Sequence, residues 1–428
     1  MAVIASTRPA ARGLGVAVGA LVAAGALAVG VATAPLGRDF PLFWAFGLAF
    51  GFVLQRSRFC FASAFRDLFL FGGSATLKGI LAGMAVASVG FALLESKMVA
   101  LPGFGLLPPE AHLFPLGLHL VVGGVLFGIG MSLAGGCVSG TLYRLGEGYA
   151  ASYVALLGIL AGLGLAAHTW GFWWERTIST GPVVWLPAYL GYAGALAVTL
   201  LGLAAVWVTL EVVEARRGFG GRAFPAAAVA AAAGAAGSSP GALSGPEPAG
   251  QVLRRRTAEL GRRLFRDGWP VLVGGLLLGI LNVYLYTAHM PWGVTGELSR
   301  WAVKLYALVG LEPGPLPGAD QLPGCTLTLG GSTLLSHSLM LDLGIVVGSL
   351  LAASLAGEFH WRLPRQRRRW VQSAAGGVLM GYGAAIAGGC TIGALFSAIP
   401  SLGLNGWLFG AALLVGAALG TRLLRRLA

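Results

Sequence analysis

Three cysteines carry the chemistry available to this sequence. Cys137 and Cys390 each close an Ala-Gly-Gly-Cys, at 134–137 and 387–390, and Cys60 follows Arg56-Ser57-Arg58-Phe59. Each stands where an apolar run is interrupted, so each begins a new short segment. A helix broken in lipid frees backbone N–H and C=O groups, which is tolerable only where they are buried or line a polar path. The half-helix beyond the break presents an N-terminus of partial positive charge, a ready site for an anion. Val138-Ser139-Gly140-Thr141 and Thr391-Ile392-Gly393 start such half-helices and offer N–H and hydroxyl donors. Gly136 and Gly389, just before the thiols, let a ligand touch the backbone closely. Serine would serve an oxyanion alone better than cysteine. A thiol adds a weak S–H donor and a soft, polarizable sulfur, so the pattern points to an anion that contains sulfur.

Other uses of these residue types fit less well. The four cysteines (Cys60, Cys137, Cys325, Cys390) form no CxxC pair, and no two of the six histidines lie three or four residues apart. The usual spacings of a thioredoxin-like redox site and of a zinc or helical metal site are therefore missing. Cys325, in a loop and without a repeat partner, reads as a packing cysteine. Arg56, Arg58 and Arg66 around Cys60 are open to two readings, substrate contacts or membrane-surface anchors. Glu95, Glu297 and Glu358 near span ends read as interface residues, and His337 as a helix-packing residue.

The elements that must position the thiols come in two related sets. Residues 123–142 (GGVLFGIGMSLAGGCVSGTL) return 253 positions later at 376–395 (GGVLMGYGAAIAGGCTIGAL), with twelve of twenty identical and the cysteine in register. Internal repetition with breaks at matching places marks the substrate path of a transporter. The chain is 56% hydrophobic and 11% charged over 428 residues, and apolar runs near twenty residues recur. That is the composition of an all-α polytopic membrane protein, and the 69 glycines suit close helix packing in lipid. The net charge of +13 falls in short loops between spans, so it implies a lipid bilayer rather than nucleic acid as partner.

Four regions follow. Residues 1–40 hold an extra N-terminal span (14–34), read as retained rather than as a cleaved signal. Residues 41–212 form the first repeat, with a span at 41–55, a half-helix after Cys60, spans at 76–94 and 116–133, the half-helix at 138–145, and spans at 153–168 and 186–210. Residues 213–268 are an Arg-rich flexible linker around an Ala/Gly/Ser/Pro tract. Residues 269–428 form the second repeat, with spans at 269–285, 333–356, 370–387 and 404–424. Gly293 takes the position of Cys60 there, so the repeat lacks a fourth thiol. With the linker, the 362–369 hairpin and both termini in the cytoplasm and roughly ten crossings, about two dozen of the 29 Lys and Arg lie inside. The repeats are then inverted, with the breaks at Cys60 and Cys137 toward the cytoplasm and that at Cys390 toward the outside. Broken and re-entrant half-helices would approach the midplane from both faces.

At these residues the chain resembles the YeeE/YedE family of bacterial inner-membrane proteins. The resemblance rests on Phe59-Cys60 after a broken helix, on Gly135-Gly136-Cys137 with Thr141 and Arg144, and on Gly389-Cys390-Thr391-Ile392-Gly393. It runs from about 41 to 424. It implies thiosulfate uptake, an hourglass-shaped body, and Cys60, Cys137 and Cys390 as three thiols that pass the ion along by S–H contacts. It also implies a cytoplasmic sulfur-relay protein as partner, and for some relatives a link to selenium metabolism. The first span and the long linker are additions to the family pattern.

The reading is a permease for thiosulfate or a related sulfur anion in the bacterial inner membrane, with no cofactor, no metal and no ATP-binding motif. Its rivals are a membrane thiol redox enzyme working through Cys137 and Cys390, and a transporter of a selenium species. A thiolate on the path would repel a dianion, so the permease reading expects protonated thiols.

Overall fold

The computed structural model describes residues 9–216, 259, 261–262, 265–322, 327 and 335–427. Cys325 and most of the Arg-rich linker lie outside the described residues. The first half comprises α1 (Pro9–Thr33), α2 (Asp39–Arg56), α3 (Phe61–Leu70), α4 (Ala75–Met98), α5 (Leu118–Ala134), α6 (Val138–Gly146), α7 (Ala150–Trp173) and α8 (Pro187–Arg216). The second comprises α9 (Val271–Ala288), α10 (Thr295–Leu308), α11 (His337–Ala356), α12 (Arg367–Ile386), a π-helical segment Thr391–Ser397 and α13 (Leu404–Leu427). The fold is all-α, and the described residues contain no strand.

Eight described segments are long and apolar enough to cross a membrane, and α12 with Thr391–Ser397, bent by 47°, counts as a ninth. α5 and α6 pass that test together as one segment, Leu118–Gly146. The chain is a multi-pass membrane protein. Several boundaries differ from expectation by a turn. α11 starts at His337 rather than 333, and α8 runs on to Arg216, so the first residues assigned to the linker are helical. α10 is capped by Val294, one residue beyond the Gly293 aligned with Cys60.

Glycines four apart hold the long helices together. Gly47 and Gly51 of α2 meet Gly344 and the Ile345 carbonyl of α11, and Gly79 and Gly83 of α4 meet Val271 and Gly275 of α9. Gly124 and Gly128 of α5 lie on Phe409 to Ala417 of α13, and Gly158 and Gly162 of α7 lie on Ala374 to Tyr382 of α12. In each pair the contacts advance together along both helices, so the helices are parallel. Backbone against backbone at this range leaves no room for a Cβ, which is how helices associate where the solvent is itself apolar.

One pair differs. On α5 and α12, Gly123 meets Gly383 and Ala387 while Gly130 meets Gly376 and Met380, so these two helices are antiparallel. Gly123 and Gly130 are the repeat equivalents of Gly376 and Gly383. Each contact therefore has a counterpart made by the equivalent residues of the other half.

The ends sort onto two faces. On one, Arg56 pairs with Glu358, Trp269 N donates to Arg56 O, Arg362 N donates to Gly148 O, and Arg425 reaches Phe69 O. Lys78 closes the same face against Glu211 and Glu214 at 2.7 Å each. On the other, Leu116 joins Pro182, Leu186 joins Leu402, and Trp170 Nε1 donates to Pro317 O. The first is called the basic face below, and the second the opposite face.

Candidate functional site

α2 ends at Arg56, and Arg58 turns the chain with a left-handed φ of 49°. Cys60 is then the extended N-cap of α3, with its carbonyl accepting from Ala64 N at 3.1 Å and Ser63 Oγ at 2.8 Å. α5 ends on Gly135, whose φ of 76° an L-residue adopts only with strain, and Cys137 is the extended N-cap of α6. The sulfur of Cys137 accepts from Gly140 N at 3.3 Å and lies 3.3 Å from Ser139 Oγ. α12 ends before Gly388 and Gly389, both with positive φ, and Cys390 caps the π-helical segment, its sulfur accepting from Ile392 N at 3.4 Å. Two thiols thus occupy the capping position that Ser usually fills. In each, a sulfur lone pair is committed to the half-helix it heads.

The structure brings two of the three thiols together. A Cβ on Gly140 would stand 3.2 Å from Cys60 Sγ and 3.3 Å from Cys137 Sγ, and the two thiols interact. Both are buried, as is Cys390. Cys390 stands apart at the opposite end of the α5–α12 pair. Ala387 is level with Gly123 and Ala134 with Gly376. The two levels are eleven residues of α-helix apart, about 17 Å.

The remaining expected site residues divide. Gly136 lies under the Arg144 guanidinium, where a Cβ would be 3.4 Å from Nη1. Gly389 lies on the turn below Ala394 N, and a Cβ there would be at 2.9 Å. Thr391 is fully buried at the head of its segment with a hydroxyl that has no partner, a free donor. Thr141 is not one: its hydroxyl donates to Cys137 O at 2.9 Å and serves the cap.

Two further features belong to the breaks: Arg144, which the family motif contains but whose role the sequence leaves open, and a line of aromatic rings that was not expected. Arg144 is a charge inside the first break, donating to Gly135 O and lying over the Tyr149 ring at 5.7 Å. Its position seven residues after Cys137, two turns along the same face of α6, is the signal that could have found it. A line of buried aromatic rings connects the breaks. Phe59 meets Phe61 edge-on at 5.6 Å, Phe61 meets Phe396 at 5.6 Å, and Phe396 meets Trp292 at 6.1 Å, which stacks on Phe50 at 4.0 Å. The residue after Cys60 therefore touches the residue six after Cys390. Phe396, the penultimate residue of the π-helical segment, is held by neighbours that tie its segment to the Trp292 loop: Ser397 Oγ donates to Trp292 O, and Asn282 donates to Ser397 Oγ.

Two surface assignments change, and one open reading narrows. Glu95 is fully buried with Trp185 Nε1 at 3.4 Å, and Glu297 is buried on Arg300, Trp301 and Ser336, so neither is an interface residue. Arg56 is fully buried as well, with Nη1 donating to Phe265 O, whereas Arg58 is largely exposed on Glu358 at 3.0 Å. Tertiary contacts that single spans cannot announce bury all three.

The family profile described as sulphur transport matches residues 56–419. The chain is 30% identical over 367 residues to the thiosulfate transporter TsuA of Escherichia coli, covering 85% of this chain and 88% of that protein. It is 30% identical over 377 residues to TsuA of Spirochaeta thermophila, covering 85% and 92%. The probable transporter YedE of Salmonella typhimurium is 35% identical over 156 residues, 36% of this chain and 37% of that one. The paired glycine-cysteine breaks, the all-α membrane fold and these matches agree, and the chain belongs to the sulphur-transport family.

Proposed function

We propose that this protein is a permease that imports thiosulfate, or a closely related sulfur-containing anion, along a path through Cys60, Cys137 and Cys390. The relatives are named transporters, and the chain is a transporter rather than a thiol enzyme. The observation that carries the path is the convergence of Cys60 and Cys137 over Gly140, each thiol heading a broken helix.

Thiosulfate has a sulfur end and an oxyanion end. The oxygens suit the unpartnered Thr391 hydroxyl and the N-terminal N–H groups beyond Cys390 and Cys137. The terminal sulfur suits S–H donation from the thiols, a soft donor to a soft acceptor. Gly136 and Gly389 keep the approach to the backbone open, Thr141 holds the Cys137 cap, and Arg144 supplies positive charge beside the paired thiols. Orienting the basic face to the cytoplasm puts the start of α1, the end of α13 and all but five of the described Lys and Arg on that side of a bacterial inner membrane. Cys390 is then the outer station and Cys60 with Cys137 the inner one, from which a cytoplasmic sulfur-relay protein would take the ion.

The test is uptake of labelled thiosulfate into vesicles reconstituted with the full chain, beside sulfate and selenite. Saturable thiosulfate uptake that excess sulfate does not suppress is expected. Transport of sulfate or selenite with no thiosulfate uptake would overturn the reading.

A further inference from the structure

Asp342 lies near the start of α11, within a membrane-crossing helix. Its side chain is 4% exposed, and neither carboxylate oxygen has a hydrogen-bond partner. A bare carboxylate in such a place is unsustainable, because the cost of removing the charge from water is returned by no partner. Glu297 on α10 makes it less favourable still. Its charge acts on Asp342, and its own oxygens are already occupied by Arg300 at 2.6 Å, Trp301 Nε1 at 2.8 Å and Ser336 Oγ at 2.6 Å. Two buried acids therefore differ sharply: the Glu297 oxygens are met by a guanidinium, an indole N–H and a hydroxyl, and the Asp342 oxygens by no partner.

No donor on the other elements packed on α11 reaches the Asp342 oxygens. α1 carries only Arg12, at its far end, and α2 carries Asp39 and Arg56 only at its two ends. α6 brings Tyr143 and Arg144, engaged at the Cys137 break, and α10 brings Arg300, Lys304 and Tyr306 besides Glu297. On the opposite face, exposed His289 and half-buried His337 have ring centroids 6.0 Å apart. They lie five residues above Asp342 on the side from which a proton would arrive.

The same helix braces both inner thiols. Gly344 and Gly348 of α11 pack on Gly47 and Leu48 of α2, which leads to Cys60. Ser349 Oγ donates at 2.8 Å to Tyr143 O of α6, which starts at Cys137. Asp342 and Ser349 are seven residues apart and share a face. Opening a wet route to Asp342 thus requires moving α11 against the two helices that hold the thiols.

We propose that Asp342 is the proton site of a proton-coupled cycle, taking up one proton from the opposite face and releasing it to the basic face with each anion imported. The inference rests on the permease reading, and its tests separate the two.

Full-length protein in vesicles is given thiosulfate with the membrane potential clamped and a pH gradient imposed, alkaline inside. One proton per anion predicts about tenfold more accumulation per pH unit, with acidification of the lumen on adding thiosulfate. D342N, a neutral isostere, is expected to equilibrate thiosulfate but show no accumulation and no acidification, and D342E to retain both. Unchanged proton coupling in D342N, or accumulation driven by sodium instead, overturns the proposal. A second readout is independent of substrate and transport. The infrared spectrum of the wild type at neutral pH should show a protonated-carboxyl band that D342N lacks. If the wild type carries no thiosulfate, the permease reading falls and the band alone decides: a matching band supports a proton store at Asp342, and its absence ends the idea.

Discussion

At the residue scale, the thiols have two jobs that substitution can pull apart. Cys137 and Cys390 cap their half-helices through sulfur, and serine is a better cap than cysteine. Cys137→Ser and Cys390→Ser should therefore fold with wild-type thermal stability. If the soft sulfur handles the ion, each should still lose uptake by roughly tenfold or more, about 1.4 kcal/mol of barrier or binding. Wild-type uptake in both variants would make the cysteines caps and nothing else. Gly140→Ala probes the same point without touching a thiol. Its methyl would press on Cys60 Sγ and Cys137 Sγ at 3.2 and 3.3 Å, while alanine favours α6 by up to about 1 kcal/mol. The expected result is a stable protein with impaired thiosulfate uptake, measured by melting temperature and initial rate together. That Cys137 and Cys390 each head a broken segment was legible in the sequence, because the two recur in register after Gly-Gly. Arg144 stands in the family motif, but its contact with Gly135 O was not legible, since nothing local marks the carbonyl it reaches.

At the element scale, packing depends on glycines facing backbone. Gly128 of α5 abuts Leu413 O and Ala417 N of α13, with a Cβ at 2.6 Å from that nitrogen. Backbone cannot step aside as a side chain can, so Gly128→Val should cost about 1–3 kcal/mol or more, seen as a lowered melting temperature and reduced yield in detergent. Gly171, late in α7, has nothing within 4 Å of its Cβ position. Gly171→Ala should be neutral or stabilising by up to about 1 kcal/mol. The reverse ranking would refute the role given to close backbone contact. Most helices were legible, because apolar runs of this length have few other solutions. The segment after Cys390 was not: its π geometry, with Ala398 N donating to Gly393 O at 3.1 Å, follows from docking on the Trp292 loop and has no local signature. The buried states of Glu95 and Glu297 were missed for the same reason, since Trp185 and Ser336 meet them from distant parts of the chain.

At the scale of the whole molecule, we infer that the two halves are inverted copies related by a pseudo-two-fold axis in the membrane plane. Three observations support it. α5 and its repeat equivalent α12 are antiparallel at their contact, Gly123 on Gly383 and Gly130 on Gly376. The equivalents exchange partners in register, since Gly124 and Gly128 of α5 face α13 while Gly377 and Gly381 of α12 face α7. Lastly, α2 runs parallel to α11 and α4 parallel to α9, the swap expected if α9 and α11 are the second copies of α2 and α4. A helix that crosses a bilayer and is antiparallel to its own copy leaves that copy upside down, so equivalent breaks should open to opposite compartments. The prediction has two parts. Residues 41–212 and 269–424 should superpose by a rotation near 180° that carries Cys137 onto Cys390. In sealed right-side-out vesicles, membrane-impermeant thiol reagent should label Met98→Cys, at the outer end of α4, from outside. Arg365→Cys, in the 362–369 hairpin, should be labelled only after the membrane is opened. Both variants keep the three buried native thiols, and labelling of the parent protein sets the background. Labelling of both positions from one side would end the inverted arrangement, and with it the assignment of Cys390 to the outer station and of Cys60 and Cys137 to the inner one.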